Sequence, residues 1–186
     1  DMLWVPRGFS SGRDFIEFLQ SPQMAGLCEM GREVLHWRRD MALLALEAWN
    51  DSQRPALAER WGVNVAPASL EAFLDYMGRG HASLRRLAEY LQLHVRPAML
   101  DRMEKIRPQA EAGDPEAAAE LAELTSFGSN EILEHWLSRK EHPELPDLEH
   151  PTANPDDMPE LLRKSPGDLM RELDRIPTGY RMTLCI

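Results

Sequence analysis

Leu57-Ala58-Glu59, followed by Val65, Pro67-Ala68 and Leu70, recurs thirty residues later as Leu87-Ala88-Glu89, Val95, Pro97-Ala98 and Leu100. Val63 with Leu93 and Glu71 with Asp101 keep the same register. Each copy reads as a helix, a short turn and a second helix opened by proline, which suits the first helical position and not the interior. A third Leu-Ala-Glu, Leu121-Ala122-Glu123, opens a looser copy without the Pro-Ala pair. The expectation is an all-α, multi-helical single domain of tandem helix pairs, ending in an acidic, proline-rich C-terminal segment.

Outward from the repeat, the longest helical pattern runs from Pro22 to Trp49, with Leu27, Cys28, Val34, Leu35, Met41, Leu44, Ala45 and Ala48 recurring at three and four residues. Asn50 offers it a stop. Within it, Met41-Ala42-Leu43-Leu44-Ala45-Leu46 is apolar on every side, as in a core helix or a dimer seam. Phe15, Ile16, Phe18 and Leu19 predict a short buried helix over Arg13–Gln20. The first pair covers 55–77, stopping at Gly62 and restarting at Pro67. The second covers 84–107, with Ser83 as cap, a turn at His94-Val95-Arg96 and a restart at Pro97. The third covers 115–139, with Asp114 and Ser129 as caps. Residues 1–140 thus form a helical body. Residues 141–186 form a strap broken by Pro143, Pro146, Pro151, Pro155 and Pro159, with one short helix after Ser165-Pro166. Arg181–Ile186 alone has strand character and nothing to pair with, so no sheet is expected. Trp37, Trp49, Trp61 and Trp136 fit a helix-stapling role better than a ligand pocket.

Hydrophobic residues make up 43% of the chain, enough for a core. A net charge of −10 argues against a protein that coats nucleic acid with its whole surface. That charge is uneven. Residues 1–53 hold five arginines against eight acids, 54–107 nine basic residues against six acids, and 108–186 seven against seventeen. Only the repeat is basic. No apolar run approaches the roughly 20 residues of a membrane span, and the N-terminal stretch lacks a signal-peptide pattern. Cys28 and Cys185 have no metal or redox spacing, so a reducing cytoplasm is the expected setting.

Leu84–Leu93, His94-Val95-Arg96 and Pro97–Ile106 resemble the helix-turn-helix module of DNA-binding regulators. The first copy fits that pattern better at the turn, where it supplies Gly62 and the second copy has Gln92. The resemblance implies Arg96, Arg102 and Lys105 as DNA contacts, with Arg85 and Arg86 on the backbone. The same arginines also fit a solvated face with partners such as Asp101–Lys105. Alternatively, self-similarity at this period matches stacked helical pairs that bind proteins. Plain packing of similar helices is a third reading.

Signals for chemistry are thin. Glu33-x-x-His36 has the spacing of half a di-iron site, but its second half is missing. His135, His142 and His150 lie near acids without zinc-ligand spacing. Cys28 reads as a small apolar helix residue, and Gly78-Arg79-Gly80 is too short to cradle phosphate. No catalytic residue, cofactor or metal is expected. The preferred reading is a non-enzymatic protein-binding adaptor or regulator using the helical-repeat surface. DNA binding through residues 84–107 comes next, and a helical enzyme or metal-binding protein last. The expected partner is another protein or a second copy through residues 41–49, with nucleic acid as the alternative and no membrane. All of this requires each copy to bend; a copy running as one rod would end the repeat-surface proposal and leave nothing functional standing on it.

Overall fold

In the computed structural model, which describes residues 2–138, 140, 143 and 158–184, the chain is 71% helical with one two-stranded sheet, so it is mainly α. It divides into two compact units: a first comprising Asp1–Val34 with Asn154–Ile186, and a second comprising Leu35–Ala153. Much of the expected strap, including Pro146, Pro151 and Pro155, lies outside the described residues.

In the second unit, the last turns of helix α2 (Pro22–Ala48) bury Ala42, Ala45 and Leu46. The all-apolar turn is therefore largely core, with Leu44 left 46% exposed. The chain does not stop at Asn50. A π-helical turn, Trp49–Gln53, carries it directly into α3 (Arg54–Trp61). Asn50 instead grips a distant segment: its carboxamide donates to the Ala68 carbonyl at 2.9 Å and accepts from the Ala68 N–H at 2.8 Å.

Gly62 ends α3 at φ +65°, a left-handed conformation that only glycine adopts without a steric penalty. Residues 63–69 then form no regular element, and side chains satisfy much of their backbone. Besides Asn50, Arg54 donates to the Val65 carbonyl (3.3 Å), His94 Nε2 to that of Ala66 (2.8 Å) and Tyr90 Oη to that of Ser69 (3.3 Å). Ser69 caps α4 (Leu70–Met77), which starts three residues after the expected Pro67. The first copy is thus a helix pair with a long bend.

The second copy is not. Helix α5 runs unbroken from Leu84 to Glu111 with Pro97 and Pro108 inside it, so the turn expected at 94–96 is absent. Leu87, Leu91, Val95, Met99 and Ile106 are buried along one stripe that passes straight across Pro97. Pro97 itself lies on the exposed side, where water can bond the Leu93 carbonyl it leaves without a donor. Against α5 pack α6 (Pro115–Ser126), capped by Asp114 as expected, and α7 (Ser129–Glu131) with its π-helical continuation Ile132–Trp136. Ser129 opens α7 and is not its cap. Three of the four tryptophans expected to staple helices do so: Trp49, Trp61 and Trp136 are buried, with Trp136 centroids 6.1, 5.8 and 5.5 Å from those of Trp49, Trp61 and Phe127, whereas Trp37 is only half-buried on α2.

The first unit overturns the expectation of no sheet. Strand β1 (Met2–Arg7) pairs antiparallel with β2 (Gly179–Leu184), from Met2 opposite Leu184 to Arg7 opposite Gly179. Trp4 and Met182 face each other in this register and pack against buried Met24, Leu173 and Ile176. The unit also holds α1 (Gly12–Leu19), α8 (Glu160–Arg163) and α9 (Pro166–Asp174), the first and last capped by Ser11 and Ser165. Contrary to expectation, α1 buries no residue. Phe18 packs on the small core, while Phe15, Ile16 and Leu19 stay 40%, 55% and 43% exposed.

Two substitutions test this account. Asn50→Ala removes both bonds to buried Ala68 and should lower stability by about 2–4 kcal/mol. Pro97→Ala restores a helical hydrogen bond and should raise it by about 1–3 kcal/mol. Urea midpoints check both signs.

Candidate macromolecule-binding face

Helix α5 carries all five basic residues singled out from the sequence, yet it does not gather them. At about 100° per residue, Arg85 and Arg96 share a stripe, Arg86 sits about a quarter turn away, and Arg102 and Lys105 point to the other side. Arg85 and Arg86 both reach Glu89, at 3.9 and 2.9 Å. Lys105 pairs with Asp101 at 2.6 Å, the solvated i,i+4 arrangement. Arg102 falls on the side that faces α6. It makes a two-pronged contact with Glu120, Nε to Oε1 at 2.6 Å and Nη2 to Oε2 at 3.0 Å. The hydrogen bond to Glu120 raises the Arg102 pKa, and both side chains are partly buried. Among the described residues only Arg96 of the five has no carboxylate partner.

The same helix presents something the repeat concealed. Leu93 and Leu100 are 53% and 47% exposed and seven residues apart, so they lie on one stripe directly opposite the buried one. Arg86 and Arg107 continue that spacing at either end. In the sequence both leucines stand out only as positions of the repeat. Once α5 is one helix, the four-residue spacing of Leu87, Leu91, Val95 and Met99 claims the inner face and turns these two outward.

Two other places deserve chemical weighing. In the first unit an open cleft of about 410 Å³ is lined by Glu160, Arg163, Lys164, Asp168, Arg171, Glu172 and Arg175. Lys164 Nζ is held by Glu160 at 2.5 Å and Glu172 at 2.8 Å, which raises its pKa. A lysine so held is an ammonium, not the neutral amine that covalent catalysis requires. Asp168 is held low by Ser165 and Arg171, so neither group is poised near neutrality. On α2, Cys28, Glu33 and His36 are exposed. His135 stands 3.9 Å from Glu131; His142, His150 and Cys185 lie outside the described residues. Among the described residues no three His, Cys, Asp or Glu side chains group as metal ligands, and no helix is long and apolar enough to cross a membrane. No protein-family model, curated protein or solved structure matches the chain.

The unequal use of the arginines is measurable. Arg102→Ala should cost about 1–2 kcal/mol of stability, because Glu120 loses its partner at a partly buried site. Arg96→Ala should change it by less than about 0.5 kcal/mol. Equal effects in urea denaturation would contradict this division.

Proposed function

We propose that this chain is a non-enzymatic protein-binding adaptor or regulator whose docking face is the outer stripe of α5. The repeat surface first expected for this role is not available, since the second copy is a single rod. One observation carries the revised reading: two half-exposed leucines at heptad spacing on the solvent side of a helix whose other side is core. Isolated exposed leucines need no explanation. A pair aligned along a helix, ended by Arg86 and Arg107 and flanked by Arg96, has the layout that receives an amphipathic partner helix. The arginines favour a partner with acidic residues beside its apolar positions. A cytoplasmic setting belongs to the same proposal and is supported by the free thiol of Cys28.

DNA binding uses the same helix and has less support, because four of its five proposed contacts already hold carboxylates within the chain.

The double variant Leu93→Lys/Leu100→Lys should keep the wild-type circular dichroism and melting behaviour, since both positions are exposed. It should lose the proteins that the wild-type chain captures from its native cell. Capture of the same set by both would end the α5 reading. A shift of mixed DNA that collapses with rising salt and with Arg96→Glu would favour nucleic acid instead.

A further inference from the structure

We propose that the open edge of β2 pairs with the same edge of a second copy of this chain, building a four-stranded antiparallel sheet across a two-fold axis. The starting point is a deficit. A two-stranded ribbon alone is marginal in water and needs either further strands or a helix to pack on; this one leans by a single face on the small cluster of its own unit. Here the ribbon belongs to a unit whose core holds Met24, Leu173 and Ile176, and Leu3 on its outer face is 51% exposed.

The backbone decides which edge is open. Along an antiparallel strand, alternate residues direct both N–H and C=O toward the same neighbour. Proline has no N–H and sits in strands where its nitrogen faces away from the ladder. Pro6 therefore turns outward, together with Met2 and Trp4, and the free edge of β1 is blocked at Pro6. The residues opposite these, Tyr180, Met182 and Leu184, point their backbone groups away from β1 as well. Their edge has no proline, and Arg181 is the only charged residue on the strand. Among the described residues no other strand covers it.

A two-fold axis then leaves few registers, because outward-directed residues must face outward-directed residues. Placing Tyr180 opposite Met182 sets Arg181 directly against Arg181 of the second copy, a like-charge pair at the closest cross-strand spacing. Placing Met182 opposite Met182 sets Tyr180 against position 184 and Arg181 against Thr183, with no like charges opposed. The second register is the one the strand accommodates. Arg181 and Thr183 are both exposed, so neither is committed to the fold of its own copy. Self-pairing of this kind is isologous, the commonest symmetry of soluble oligomers. It is independent of the α5 reading.

Thr183 provides the test. In the proposed register Thr183→Lys creates two Lys–Arg oppositions, whereas Thr183→Glu creates two Glu–Arg pairs. In the rejected register Thr183 faces Gly179, and the two variants behave alike. Sedimentation equilibrium should find the wild type at twice its 21.3 kDa mass. The dissociation constant of Thr183→Lys should exceed that of Thr183→Glu by about tenfold, as two symmetric cross-strand pairs each contribute. A wild type that stays at 21.3 kDa up to about 100 μM, or equal dissociation constants for the two variants, would overturn the proposal.

Discussion

The second unit depends on burying one stripe of α5. Leu87, Leu91, Val95, Met99 and Ile106 each contribute about 1.5–3 kcal/mol when taken out of water, against the roughly 3 kcal/mol that a proline costs inside a helix. The balance favours continuing through Pro97. Its exposed position lowers the cost further, because on the exposed side of a helix water can bond a carbonyl left without its donor. The continuation has a second effect. A bend at 94–96 would let the two leucines turn independently, whereas a single rod fixes Leu93 and Leu100 on the outer side. The candidate docking face is thus a by-product of core packing.

Two stretches of nearly equal composition adopt different backbones, and the difference traces to few residues. The first copy has Gly62 at a left-handed position, and after it the chain cannot resume helix until Ser69 caps a new one. The second has Gln92, which continues a helix readily. The cost of the first arrangement is an irregular segment whose backbone groups would be unsatisfied without help. Asn50, Arg54, Tyr90 and His94 supply it from α5 and from the helical stretch around the π turn. His94 and Tyr90 come from the second copy to hold the bend of the first. The repeat is therefore a division of labour between an unlike pair.

What could be read in advance follows from range. Ser83, Asp114 and Ser165 mark helix starts because a cap acts over three residues. Periodicity picks out Ala45 correctly but also Leu44, which is exposed, while Ala42 and Leu46, off the periodic pattern, are buried because the packing of the folded unit chose the inner face of an all-apolar turn. The ribbon could not be read so, because Trp4 and Met182 are neighbours only after the chain has folded. Nor could the exposure of α1, whose amphipathic pattern implies a partner surface without saying whether the chain supplies it. The basic residues of α5 were legible as a cluster. Their pairing with Glu89, Asp101 and Glu120 was legible only for the neighbours along the helix, since Glu120 arrives from α6.

The two units put their exposed apolar side chains to different thermodynamic use. In the second, Leu93 and Leu100 stand outside a core already filled by Trp49, Leu57, Phe73, Leu87, Leu91 and Ile132. Covering them adds nothing that the fold lacks, so a partner docked there as proposed would be free to come and go. In the first, the core is small, no residue of α1 is fully buried, and the two-stranded sheet relies on the helical residues packed beneath it. The proposed contact there would extend the unit and link its stability to the concentration of the protein itself. An assembly joined through β2 would persist while the α5 faces, one on each copy, exchanged partners. Two equivalent faces on one particle raise apparent affinity for any partner that is itself repeated, without a new contact on either helix.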